Sequence, residues 1–271
     1  MDAKSAVHIL GSLSLYVILK AAIPMLPIKP SAAVIYISMF LLTATAFMLA
    51  RMIATMRRCW RTDIIAMAMC LLVWMAGFWL GEISAGKRYG ELATITQEVG
   101  LLCFASFSGK TVSLVIREGN LLLPAAMAMM LVDVWFVNLS GATPQVANRA
   151  GKLFKAMTVK LPPAGAKKIP APALLMGFGD IFFAALIIAA LHRFGFEVRV
   201  SFWLAVLAAS LGLTLVSLLD IPLAGLPFIA GGLLLPNIHR LKLTREEWIA
   251  TGIGIGMLAV ILIAAWLALN R

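Results

Sequence analysis

The chain has 271 residues, 62% hydrophobic and only 13% charged, with a mean hydropathy of +0.98 and a net charge of +11. Soluble domains carry about 25% charged residues, so the composition excludes an ordinary soluble enzyme. Apolar runs of about 20 residues recur throughout and read as membrane-crossing helices, not as the short alternating segments of a transmembrane β-barrel. The positive charge lies in loops, where Lys and Arg orient helices and meet anionic headgroups. No basic face with interleaved aromatics appears, so nucleic acid is excluded as a partner.

Nine hydrophobic segments follow in chain order, at about 5–25, 33–56, 62–84, 95–116, 120–139, 171–193, 200–220, 223–238 and 247–269. They predict an all-α, multi-pass membrane bundle forming a single membrane domain. Its parts are N-terminal helices (1–119), a central group (120–240) and an additional C-terminal helix (241–271). Lys20 interrupts the first segment and no small-x-small cleavage site follows, so it reads as a retained helix, not a signal peptide. The fourth is weak, since it holds Ser106, Ser108 and Lys110; the eighth is short and bounded by prolines. Between the fifth and sixth lies a basic loop, 140–170, whose middle (NRAGKLFKAMTVK, 148–160) alternates basic and apolar residues at near-helical spacing. That pattern predicts a short helix on the membrane surface, in contact with anionic lipids. Lys and Arg divide almost evenly between the two membrane sides, so no orientation is read.

Three cysteines (Cys59, Cys70, Cys103) form no C-x-x-C pair, and His8, His192 and His239 are scattered. Neither a metal site nor a cofactor is expected from them.

Most acids fall at segment ends or in loops, and Glu98 lies near the start of the weak fourth segment. Asp133 and Asp180 alone lie well inside strong segments. A charge at the bilayer centre costs about 2.5–3.5 kcal/mol even on mild scales, so two such residues imply a purpose. Their helices are consecutive in the membrane. At about 1.5 Å per residue, Asp133 and Asp180 lie about 9 and 13 Å from the same face, a similar depth on neighbouring spans. Two close carboxylates share one proton, and such a pair can activate water with one member and protonate a carbonyl oxygen with the other. Gly177 and Gly179 flank Phe178 just before Asp180 and let the backbone unwind or approach a neighbour. In SLLDIPLAGLPFIAGGLLLPN (217–237), Pro222, Pro227 and Pro236 break the helix. Irregular backbone at membrane depth survives where it lines protein or a wet cavity.

Three blocks resemble the G-x-G-D intramembrane aspartyl proteases, the signal peptide peptidase and presenilin group. VDVWFV (132–137) resembles that family's Y-D helix, MGFGDIFFAALIIAALHRFG (176–195) its G-x-G-D helix, and AGLPF (224–228) its P-A-L motif. Order and spacing fit, with 47 residues between the acids and 46 from Asp180 to Leu226. The resemblance implies Asp133 and Asp180 as the catalytic pair. Gly177, Phe178, Gly179, Gly225, Leu226 and Pro227 would support the site and dock substrate. Transmembrane peptides, often signal-peptide remnants bound as extended strands, are the implied substrates. The chain departs from the family pattern at Val132, where the family has Tyr, at Ala224-Gly225, and in its last segment, 247–269. In that segment Gly252 and Gly256 form a small-residue face suited to packing on a neighbour, a second copy included.

Two other readings stand beside this one. A prepilin-type peptidase also uses a G-x-G-D acid, but usually with Val-Lys after it, where this chain has Ile181-Phe182. An ion- or proton-coupled transporter could use both acids, though its sites commonly sit in paired repeats and none is evident here.

Overall fold

A computed structural model describes residues 3–23, 32–56, 60–83, 90–139, 157–160, 175–219 and 223–269. The helices are α1 (Ala3–Ala22), α2 (Ala32–Ala54), α3 (Trp60–Ile83), α4 (Gly90–Val112), α5 (Leu122–Val134), α6 (Phe178–Arg193), α7 (Arg199–Leu219), α8 (Leu226–Leu234) and α9 (Arg245–Leu269). Two short strands, β1 (Thr158–Lys160) and β2 (Leu175–Gly177), pair antiparallel with Val159 opposite Met176. The protein is thus an all-α helical bundle with one small β-ribbon.

Every expected segment contains a helix, but only six helical stretches among the described residues are long and apolar enough to cross a membrane. They include α2, α3, α5 with its flanks, α7 and α9. The sixth is the weak fourth segment: Leu92–Val115 qualifies as well, as the least apolar of the six. Helices α6 and α8, with 16 and 9 residues, fall short by length, as does the apolar stretch Val7–Ala22 of α1.

Two further expectations change. The sixth segment does not begin as helix: Leu175–Gly177 is strand, and α6 starts only at Phe178. At the end of the 148–160 stretch, Thr158–Lys160 is strand and not surface helix; β-branched Thr158 and Val159 suit that state. The rest of the interfacial-helix expectation, 148–156, lies outside the described residues, as do Cys59, Asp220 and Pro222.

At the centre stands α6. Ile181 and every residue from Phe183 to Leu191 are buried. Its AALIIAAL stretch, small and branched residues in alternation, lets α2, α4 and α8 close around it. Gly109 on α4 is required for that approach, since a Cβ there would lie 2.2 Å from the Phe182 carbonyl oxygen. By contrast, α3 and α9 turn large apolar side chains outward, among them Ile65, Trp79, Ile253 and Val260, as lipid-facing helices do.

The weak segment enters the bundle because its charges are paired. Lys20 of α1 bonds Glu98 of α4 at 2.7 Å, and the Tyr16 hydroxyl donates to the same carboxylate oxygen at 3.2 Å. Lys110 of α4 bonds Asp63 of α3 at 2.8 Å. Glu98 and Asp63 are therefore buried acids as well, an addition to the two expected from sequence. Charges at this depth persist when neutralised by a partner.

Candidate active site

The first acid, Asp133, ends α5. Directly after it the chain widens into a π-helical turn, Trp135–Leu139. Such turns cluster at functional sites because they re-aim a side chain without ending the helix. The second acid, Asp180, sits in the first turn of α6. Gly177 holds extended backbone (φ −73°, ψ 156°) and joins β2 directly to that helix. The Gly177 amide donates to Oδ2 of Asp180 at 3.0 Å. This is a capping contact, and it places a hydrogen-bond-accepting carboxyl group at the positive end of the helix dipole.

The third element binds both acids. The amide of Leu226 donates to Oδ2 of Asp133 at 2.9 Å, and the Gly225 amide is directed at the same carboxylate. On Gly225, a Cβ would lie 2.9 Å from Oδ1 of Asp180. The Gly225–Leu226 stretch thus stands beside both carboxylates. Pro227 stands in the first turn of α8, where its missing N–H costs nothing and its fixed φ starts the helix. The carbonyl of Gly225 takes the first helical bonds, from Phe228 and Ile229, at 3.2 Å each.

All eight residues expected at the site from sequence lie at or beside this junction. Phe178 stacks between Phe104 and Phe182, with ring centroids 5.6 and 5.8 Å away, and so anchors the start of α6 in the core. Gly179 is exposed and has open space where a side chain would stand. Both acids are half-buried. Gly179 and both carboxylates thus keep part of their surface accessible. Among the described residues, no Lys, Arg or His lies within 4.0 Å of either acid, in contrast to Glu98 and Asp63.

Sequence reasoning missed the β-ribbon. The amide of Phe178 donates to the Met157 carbonyl at 3.1 Å, extending the ribbon's pairing to the first residue of α6. The available signal was the Thr158-Val159 pair followed, across the loop, by glycine before the acid. The described residues hold no group of three or more His, Cys, Asp or Glu suited to a metal. Chemically, the arrangement offers two carboxylates without a cationic partner among the described residues and a backbone ribbon that leads into one of them.

No family model, no curated protein and no solved structure matches this chain.

Proposed function

We propose that the protein is an intramembrane aspartyl protease that hydrolyses peptide bonds within transmembrane segments. One observation carries the reading: Asp133 and Asp180, two acids without a cationic partner among the described residues, both stand beside the Gly225–Leu226 segment. In this reading α1, α6 and α8 cross the membrane with the six longer helices, giving the nine-pass, presenilin-like arrangement that the three motifs resemble.

The chemistry follows from a shared proton. With one carboxylate ionised and the other protonated, a water between them loses its proton to the first as its oxygen attacks the scissile carbonyl carbon. The second donates its proton to the carbonyl oxygen, and a tetrahedral diol forms. Proton return to the amide nitrogen then breaks the C–N bond, and no covalent enzyme intermediate arises. The backbone bonds from Leu226 and Gly177 hold the two carboxylates in place for both steps.

Substrate docking rests on the β-ribbon. A helical peptide hides its scissile carbonyls in its own hydrogen bonds, so cleavage requires an extended stretch. Strand β2 ends at Gly177, three residues before Asp180, and an unwound peptide adding to the ribbon would run past the acids. The lipid-facing helices let such a substrate arrive laterally from the bilayer.

A peptidomimetic carrying a hydroxyl at the scissile position tests the reading. It should bind the detergent-solubilised protein and block cleavage of a transmembrane reporter peptide. Absence of binding, together with acid-dependent ion flux in liposomes, would favour the transporter reading instead.

A further inference from the structure

A second candidate site, with Ala189 in its wall, lies toward the far end of α6 from Asp180. It is a cavity of about 400 Å³ lined by Ala54, Trp60, Asp63, Lys110, Ser113 and Ala189. Its volume falls in the range of small-ligand sites and is far more than one water needs. The Lys110–Asp63 ion pair stands in its wall.

Among the described residues that pair is incompletely satisfied. Lys110 is 4% exposed, and its ammonium makes one hydrogen bond among the described residues, to Oδ1 of Asp63. Two further N–H donors therefore lack a described protein partner. Oδ2 of Asp63 likewise takes none among the described residues, and Asp63 is 8% exposed. The hydroxyl of Ser113 spends its proton on the Lys110 carbonyl at 2.7 Å and keeps its lone pairs for a donor. The cavity thus presents donors from an ammonium beside acceptors from a carboxylate. A ligand that complements both carries an anionic acceptor next to a cationic donor.

The position indicates where such a ligand comes from. Trp60 opens α3 and is 62% exposed, beside exposed Arg61, as aromatic and basic residues are at a membrane–water interface. We propose that this cavity binds the headgroup of a phosphatidylethanolamine-type lipid, its phosphate on Lys110 and its primary ammonium on Asp63. The site stands on its own geometry and does not depend on the protease reading.

The test is native mass spectrometry of the full-length detergent-solubilised protein with three probes: short-chain phosphatidylethanolamine, short-chain phosphatidylcholine, and free O-phosphoethanolamine. Phosphatidylcholine, whose trimethylated nitrogen has no N–H to give Asp63, should bind about tenfold or more weakly, the loss of one charge-assisted bond. Free O-phosphoethanolamine should also bind more weakly than the lipid. The double variant Lys110→Met with Asp63→Leu replaces the pair by apolar side chains of similar size, which folds retain well, and should lose the preference. Equal binding of the two lipids by the wild type needs no variant and would overturn the proposal. So would undiminished phosphatidylethanolamine binding by the double variant, or free phosphoethanolamine binding as tightly as the lipid.

Discussion

The amide of Leu226 donates a 2.9 Å hydrogen bond to Asp133, a residue 93 positions earlier in the chain. Helix α8 therefore does not start on a cap of its own; an acid from α5 supplies it. The adjoining Gly225 faces the second acid, Asp180, so the start of α8 aligns the pair.

Gly225 should tolerate very little growth. A β-carbon there would sit 2.9 Å from Oδ1 of Asp180, so Gly225→Ala requires the carboxylate to shift by a few tenths of an ångström. The resembled motif carries Ala at this place, and cleavage by Gly225→Ala should stay within about tenfold of wild type, a barrier change near 1.4 kcal/mol. Gly225→Val should abolish it, because a branched side chain cannot fit beside the acid. Thermal unfolding of both variants in detergent separates misplacement of Asp180 from loss of fold.

Cleavage should follow a bell-shaped pH profile that belongs to the pair as a unit. At low pH both carboxylates are protonated and no base remains to activate water. At high pH both are ionised and no acid remains to protonate the carbonyl oxygen. Activity is maximal where the pair holds one proton. A kcat profile that stays flat from about pH 4 to 9 contradicts shared-proton chemistry.

The Lys20–Glu98 pair should behave as a structural element. Glu98→Ala removes the buried carboxylate that accepts from both Lys20 and Tyr16 and should destabilise the fold, by up to about 3–5 kcal/mol. The double change Lys20→Met with Glu98→Gln should recover most of that, and Tyr16→Phe should cost about 1 kcal/mol, one hydrogen bond. Differential scanning fluorimetry reads all three.

Much of this organisation was legible before any coordinates. Helix positions follow from apolar runs whose length is set by the bilayer. Asp133 and Asp180 stand out because lipid penalises charge, and the glycines and prolines near them mark irregular backbone. The ion pairs were not legible. Lys20 and Glu98, like Lys110 and Asp63, are distant in sequence, and a paired charge looks the same in the sequence as an exposed one. Lys110 therefore made the fourth segment look weak, although its contact with Asp63 is what lets that helix stay buried. The β-ribbon was hidden for a different reason. Each strand has only three residues, too few for a period of two to show, and each borders an apolar or basic stretch that reads as helix.

The most direct test of the central claim is cleavage of a reporter transmembrane peptide by Asp133→Asn and Asp180→Asn, each purified in detergent. Asparagine keeps an oxygen to accept from the Leu226 or Gly177 amide, so the fold and the unfolding temperature should hold. Each variant should lose cleavage by about 10³-fold or more. Wild-type cleavage by either variant would contradict the assignment of a catalytic pair.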